Sequence, residues 1–191
     1  MDMQGSRVLN ATQEQTWQAL NDPDILKACI PGCDKFELAE PNVYAVVVAL
    51  KIGPVAAKFT GKVSLMDIVP PNSYALQFEA QGGIAGFGKG ESKVELKPVE
   101  GGVELSYTVH SQVGGKIAQL GQRLIDGVAK TLAEDFFTRF EEQLIARHGA
   151  SNAEEASTSS QDNAEASGST PTWIWAFALV IAASAVWFIT K

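Results

Sequence analysis

The fold is decided by residues 116–146, which read KIAQLGQRLIDGVAKTLAEDFFTRFEEQLIA. Apolar side chains recur there at steps of three or four residues, which is the spacing of one face of an α-helix. That face comprises Ile117, Leu120, Leu124, Val128, Leu132, Phe136, Phe140 and Leu144. The pattern predicts a single helix of about 30 residues. An apolar stripe of that length needs a second layer of structure to cover it.

The residues before this helix predict antiparallel strands that supply the second layer. In 55–66, every odd position is apolar or glycine, whereas Lys58 and Lys62 lie on the opposite face. The segments with strand patterns are 43–51, 55–66, 74–80, 88–96 and 103–113, with turns at Gly53-Pro54 and at 70–73. Connections this short favour an antiparallel meander.

The N-terminal residues add one strand and two short helices. The predicted elements are a strand at 5–10, a helix at 13–20, a helix from Pro23 to about Ala28 and a turn at 30–33. Asn10 or Thr12 would cap the first helix, and proline suits the first turn of the second. The element order predicts an α+β domain over residues 1–149, in which an antiparallel sheet wraps around the long C-terminal helix.

A change of composition marks the end of this domain. Residues 150–172 read ASNAEEASTSSQDNAEASGSTPT and contain no aromatic or branched aliphatic side chain. Such a segment buries too little apolar area to offset the entropy of ordering it, so we predict a disordered acidic tether. A coil of this length spans roughly 25 Å.

The last residues are apolar enough to enter a bilayer. Residues 173–190 carry no charge and would form a helix about 27 Å long, close to the thickness of the hydrocarbon core. Trp173 and Trp175 lie at one end and Trp187 near the other, as interfacial anchors do. We therefore predict a single-pass C-terminal anchor in the cytoplasmic membrane. A buried core helix is the alternative. The N-terminus lacks the apolar stretch of a signal peptide, so we expect the folded domain to stay in the cytoplasm.

Charge and composition exclude several function classes. The formal net charge is −7, which argues against nucleic acid as a partner. Two cysteines and two histidines exclude a disulfide framework and predict no metal site. Cys29 and Cys33 are expected to be reduced thiols, and His110 and His148 to be surface residues. No catalytic motif is recognised, so no catalytic residue is assigned.

Residues 83–89 resemble a phosphate-binding loop in their glycine spacing. Gly90 replaces the hydroxyl residue that would bind magnesium, and a strand pattern follows where a helix is required. These glycines instead favour a tight turn or space beside a ligand.

Small residues on the inward face of the strands suggest a cavity. Ala57, Gly61, Ala80, Gly88 and Gly90 lie there among larger side chains. A ligand in such a space would be apolar, aromatic or prenylated. A filled core with close helix packing explains the same pattern equally well. The candidate cavity residues are Phe59, Gly61, Leu76, Phe78, Phe87, Gly90, Tyr107, Leu120 and Leu124.

An ordered set of motifs resembles the G-subunit family of carbon monoxide dehydrogenase. The motifs are Asp22-Pro23, Ile30–Cys33, Ile52–Pro54, Phe59–Gly61, Pro70–Tyr74, Gly86–Gly90 and Gly114–Ile125, and the resemblance covers residues 1 to about 147. It implies a START-like, helix-grip fold and a job that is not catalytic. It further implies recruitment of a molybdenum CO dehydrogenase, or a related hydroxylase, to the membrane. A quinone (menaquinone or ubiquinone) in the cavity would link that enzyme to the respiratory chain.

The enzyme-docking surface is predicted at Gly114, Gly115 and Lys116, at the mouth of the cavity. Two other functions remain open for this fold. A START-like cyclase or hydrolase would need polar groups in the cavity, for which Tyr107 and Ser92 are the inward candidates. A lipid carrier or co-chaperone would need no particular enzyme partner.

Overall fold

The computed structural model describes the backbone of residues 1–158 and the side chains of residues 1–147. All contacts discussed below lie within the compact unit Met1–Ala153. The elements are β1 (Asp2–Leu9), α1 (Gln13–Leu20), α2 (Pro23–Cys29), β2 (Cys33–Glu40), β3 (Val43–Ile52), β4 (Val55–Val69), β5 (Ser73–Gln81), β6 (Phe87–Val99), β7 (Gly102–Gly114) and α3 (Gln122–Thr158), with 3₁₀ turns at Gly83–Ala85 and Ala118–Leu120.

The seven strands form one antiparallel sheet in the order β1-β7-β6-β5-β4-β3-β2. From β2 to β7 each strand pairs with the next along the chain, as a meander does. β1 instead joins the far edge, where Gly5 lies opposite Tyr107. The pair α1 and α2 therefore carries the chain from one edge of the sheet to the other.

Local capping explains why the two short helices begin where they do. Thr12 caps α1, since its hydroxyl accepts from the Gln15 N–H while the Gln15 side chain accepts from the Thr12 N–H. Asp22 caps α2 by accepting from the Asp24 and Ile25 N–H groups. The same carboxylate pairs with Arg147 Nη2 at 2.7 Å, which ties α3 to the start of α2. Asp22 has a lowered pKa: burial opposes the shift, but the Arg147 hydrogen bond and the two backbone N–H groups outweigh it.

The main core lies where α3 crosses the sheet beside α1 and α2. Its most deeply buried side chains are Phe140, Leu9, Leu105, Val103, Thr16 and Cys29. Leu144 follows Phe140 on the same face of α3, at the spacing of one helical turn. Arg7 holds α3 from the β1 side by donating to Glu141 and, at 2.9 Å, to Glu134. The helix is thus fixed by apolar packing on one face and by ion pairs at its flanks.

The alternation of the strands predicted their inward faces correctly. Cross-strand pairs place Val63 opposite Phe78, and Phe78 opposite Gly90, all on the face that α3 covers. The helices predicted at 13–20 and from Pro23 agree with α1 and α2 to within one residue.

Two elements differ from the sequence prediction. β2 was not predicted, because only Phe36 of its residues is a buried apolar side chain and Leu38 is 60 % exposed. The long helix begins at Gln122 rather than near Lys116, because Gly121 adopts φ +90° and interrupts the helix. α3 runs to Thr158 and so overlaps the start of the predicted tether. The alanine- and glutamate-rich residues there have high helix propensity.

Among residues 1–158, no helix is both long and apolar enough to cross a bilayer. The predicted transmembrane segment 173–190, with Trp173, Trp175 and Trp187, lies outside the described residues. So does the remainder of the predicted tether from 159 onward.

Adjacent positions on α3 test how much the helix contributes to stability. Leu144→Ala removes a side chain that is 3 % exposed and should lower the free energy of unfolding by about 2–5 kcal/mol. Ile145→Ala removes a side chain of equal size that is 65 % exposed and should change it by less than about 0.5 kcal/mol. Urea denaturation of the full chain in detergent, followed by near-UV circular dichroism, measures both. Equal losses for the two variants would contradict the placement of this face of α3.

Candidate functional site: an apolar cavity beneath the long helix

The space between the sheet and the first half of α3 is not filled. It holds two adjoining chambers, of about 330 Å³ and about 490 Å³. Both are lined by Ile30, Val63, Phe78, Ala133 and Phe136, so they lie side by side along the helix. Of the two explanations that the sequence left open, a cavity and a filled core, this open space fits the cavity.

The smaller space, here called the aromatic chamber, has rings on most of its walls. The rings belong to Phe36, Tyr44, Tyr74, Phe78, Tyr107, Phe136 and Phe137. Several of them support one another: Phe36 and Tyr44 have centroids 5.0 Å apart, and Tyr107 and Phe137 have centroids 5.6 Å apart. Rings held by ring contacts keep their orientation and form a firm wall for a flat ligand.

The larger space, here called the aliphatic chamber, lies between β3, β4 and the first turns of α3. Branched aliphatic side chains dominate it, namely Val46, Val48, Leu50, Ile52, Ile117 and Leu132. Phe59 and Gly61 also line it. Small residues on the helix, Ala129 and Ala133, leave the space open on that side.

The structure brings five of the nine predicted cavity residues to the chamber walls. Phe59 and Gly61 line the aliphatic chamber, Leu76 and Tyr107 line the aromatic chamber, and Phe78 lies between the two. Gly90 contributes indirectly. A Cβ at this position would come within 2.8 Å of Phe78 Cζ, so the absence of a side chain leaves space for that ring.

The other three predicted residues do not line either chamber. Leu124 is 39 % exposed and Phe87 is 38 % exposed. Leu124 lies against Gly53, and the Phe87 ring lies over Gly114. Leu120 packs on the cluster of Ile52, Phe59, Ala85 and Ile117 from outside. Leu120 lies in the 3₁₀ turn before Gly121, and Leu124 lies in the first turn of α3. The next residues of the predicted stripe, Val128 and Leu132, do face inward.

Sequence reasoning missed the chamber walls that come from other elements. Phe36 lies on the unpredicted strand β2, and Ile30 lies in the turn after α2. Ala129 and Ala133 could have been predicted from the sequence. Small residues on the inward side of the helix leave space for a cavity, as glycines on the strands do.

The polar groups in the aromatic chamber are few and do not form a catalytic set. Tyr107 and Ser92 line it. Burial raises the pKa of Tyr107, and the nearby Glu134 carboxylate raises it further. General acid–base catalysis works best with a pKa near the working pH, so this shift moves Tyr107 away from the role. Burial also raises the pKa of Tyr74.

The cysteines and the described histidine have structural explanations. Cys29 and Cys33 are both free thiols, and burial raises the pKa of Cys29 to about 11. His110 lies on the outward face of the sheet as predicted, but it has a carboxylate companion that the sequence did not suggest. Its Nδ1 lies 2.7 Å from Asp2 Oδ1, and this hydrogen bond lowers the pKa of Asp2. No group of three or more possible metal ligands occurs among the described residues, and His148 is not among those with described side chains.

The predicted docking loop is a packing element as well as a surface. A Cβ at Gly115 (φ +84°) would lie 2.4 Å from Gly86 Cα, so glycine is required where the two loops meet. The Ile117 N–H donates to the Ala85 carbonyl at 3.0 Å and seals the same contact. Lys116 between them is exposed.

Comparison with known proteins agrees with this architecture. The family model for the G-subunit of carbon monoxide dehydrogenase (CoxG) matches residues 5–145. The chain belongs to the CoxG family. A comparison with curated protein sequences returns no match.

Solved structures support the family assignment and the fold. A conserved protein from Geobacillus kaustophilus is 36 % identical, with a TM-score of 0.73, and the match covers 76 % of this chain and 96 % of that one. Proteins from Thermus thermophilus (15 % identical, TM-score 0.59, 77 % and 99 % covered) and Rhodobacter sphaeroides (21 % identical, TM-score 0.57, 76 % and 92 % covered) share the fold. The cavity therefore lies within the part of this CoxG family member that its relatives also possess.

Four of the motifs that carried the CoxG resemblance, namely Ile52–Pro54, Phe59–Gly61, Gly86–Gly90 and Gly114–Ile125, come together in space. Gly53 meets Leu124, Gly86 meets Gly115, and Gly82 lies against the Phe59 ring. These segments thus meet at one end of the sheet, around the aliphatic chamber.

Proposed function

We propose that this protein is a membrane-tethered accessory protein that recruits a molybdenum CO dehydrogenase, or a related hydroxylase, to the cytoplasmic membrane. In this proposal a quinone held in the cavity links the enzyme to the respiratory chain. The family assignment supports the enzyme association. The two-chambered apolar cavity is the observation that carries the ligand proposal.

The shapes of the chambers match the two parts of a prenylquinone. The flat headgroup suits the aromatic chamber, where Ser92 and Tyr107 offer hydroxyls to a quinone oxygen. The isoprenoid tail suits the aliphatic chamber, whose walls are branched hydrocarbon. When bound, the quinone would accept electrons. The protein's own side chains would hold and orient it and exclude water from the ring.

The energetics of the cavity favour an apolar occupant. A dry void destabilises a core by roughly 24 cal/mol per Å³, and water gains little where polar partners are scarce. Apolar residues make up most of the lining. The polar side chains there are Tyr44, Tyr74, Ser92 and Tyr107 in the aromatic chamber and Lys62 and Glu79 in the aliphatic chamber. A quinone or a similar lipid would recover the dispersion and hydrophobic contacts that the chambers lack.

Filling the cavity from α3 tests the ligand proposal. Ala133→Leu adds a side chain where the two chambers join, and overpacking of about 1–3 kcal/mol should lower retained quinone about fivefold or more. Ala146→Leu makes the same change on an exposed part of α3 and should leave retention unchanged. The measurement is mass spectrometry of lipids that co-purify with the full chain from a host that makes quinones. No quinone in the unaltered protein, or equal amounts in both variants, would refute quinone binding in this cavity.

The membrane attachment is tested separately. Deletion of 173–191 should release the protein, and with it the dehydrogenase, to the soluble fraction. The paired substitution Val180→Arg and Ala183→Arg keeps the length and should have the same effect, because each arginine at a helix centre costs about 2.5–3.5 kcal/mol. Fractionation and immunoblotting of both proteins give the readout. A truncated chain that stays in the membrane pellet would show that the tail is not the main anchor.

An enzymatic role for the same fold predicts a large loss of activity when the Tyr107 hydroxyl is removed. A cyclase or hydrolase that used this hydroxyl would lose turnover in Tyr107→Phe. In our proposal Tyr107 gives the ligand a wall and one hydrogen bond and takes part in no reaction, so CO-dependent quinone reduction by membranes carrying the variant should fall by no more than about tenfold. Ser92→Ala is the matched variant for the second hydroxyl. Loss of all activity in either variant, with the protein still folded, would favour chemistry in the chamber.

A further inference from the structure

Three loops form one end of the domain, here called the loop end. They are the turn Gly53-Pro54, the turn 83–87 and the segment 115–124. Direct contacts hold them together, because Gly53 meets Leu124 and Gly86 meets Gly115. Beneath them lie Ile52, Phe59, Ala85 and Ile117. Three of these four, Ile52, Phe59 and Ile117, also line the aliphatic chamber, so that chamber reaches the loop end.

The loop end displays large apolar side chains at its tips. Ile84 is 86 % exposed, the largest exposure among the large hydrophobic side chains with described burial. Phe87 and Leu124 are exposed by more than a third. Single exposed apolar residues are ordinary. Here they come from separate loops that the backbone holds together over one chamber.

Positive charge surrounds these tips. Lys51, Lys116 and Arg123 are exposed at the loop end, and none of them pairs with an acidic side chain among residues 1–147. Asp126 is the nearby acid, one turn into α3, where it accepts from Gln122 Nε2 at 2.7 Å.

The rest of the chain has the opposite charge. At the other ends of the strands, Glu40, Asp67 and Glu100 are exposed, and Lys97 at that end pairs with Glu95 at 3.7 Å. The net charge of the whole chain is −7. The positive loop end is therefore a local feature against an acidic background, as an oriented interaction with an anionic surface requires.

We propose that the loop end is a surface that docks on an anionic bilayer, with Ile84, Phe87 and Leu124 entering the interface and the three cations meeting lipid phosphates. Apolar tips surrounded by basic residues are the composition that binds such an interface. Docking in this orientation places the aliphatic chamber against the membrane, where a prenyl chain can pass between lipid and protein. The inference rests on the proposed membrane attachment. In this proposal the bilayer, and not the dehydrogenase, contacts the loop around Lys116.

Fluorescence quenching in vesicles tests the orientation of the full chain. Bimane is attached at Ile84→Cys in a Cys33→Ser background, since Cys29 is fully buried and its raised pKa keeps it unreactive. The vesicles contain phosphatidylglycerol, phosphatidylcholine and a doxyl-labelled lipid as quencher. Val99→Cys carries the control probe, because it is an exposed apolar residue at the opposite end of the sheet. We expect strong quenching at Ile84→Cys and little at Val99→Cys.

Charge reversal separates docking from attachment by the tail. Each of Lys116→Glu and Arg123→Glu should weaken the contact by more than about fivefold, because each removes one cation that lipid phosphates attract and adds one anion that they repel. Lys97→Glu, at the opposite end, should leave quenching unchanged.

The outcomes distinguish the two proposals. A chain that sediments with vesicles but shows equal quenching at both probe positions overturns the docking surface and leaves attachment intact. A chain that does not sediment with vesicles overturns both. Protection of the Ile84→Cys probe by the dehydrogenase in the absence of lipid would show that the loop end belongs to the enzyme instead.

Discussion

The structure depends on how α3 packs across the sheet, and that packing changes along the helix. Farther along the helix, Phe140 and Leu144 are buried in the main core with Leu9 of β1 and with Val103 and Leu105 of β7. Toward its start, Ala129 and Ala133 face the sheet and leave the two chambers open. One helix thus covers both the packed core and the two chambers. The size of its inward side chains decides whether the space beneath it is filled.

A helix that covers an unfilled space needs support from elsewhere. The packed half of α3 provides most of it, since a buried aromatic side chain contributes several kcal/mol. Arg7 adds a lateral hold through Glu134 and Glu141, and its guanidinium lies 5.8 Å from the centroid of the Phe137 ring. At the far end, Arg147 joins α3 to the Asp22 cap. Arg7 therefore holds the helix beside the chamber walls Ala133 and Phe137, and Arg147 holds it farther along the chain.

The sequence predicted most of the sheet because alternation is a local signal with a physical cause. The alternation of side chains along β5 alone predicted that Phe78 faces inward. The failures share one origin: they depend on contacts between distant segments. Gly121 reads as an ordinary residue of the long helix until the structure shows its φ of +90°, which separates the 3₁₀ turn that carries Leu120 from α3. Phe36 faces the chamber from a strand whose other side chains are mostly polar, so no periodicity revealed it.

The chemistry of the cavity is compatible with our proposal that this protein holds a ligand. An enzyme of this fold would need a polar group whose pKa lies near neutrality, with a partner to orient it. Here the buried hydroxyls have raised pKa values, and the charged side chains of α3 point to the flanks, where Arg7 engages them. The two chambers differ in their walls. One is lined by aromatic rings, and the adjoining one is lined by branched aliphatic side chains. In our proposal such a site distinguishes ligands by the order of their flat and flexible parts, and its aliphatic half reaches the loop end, where Ile84, Phe87 and Leu124 are exposed.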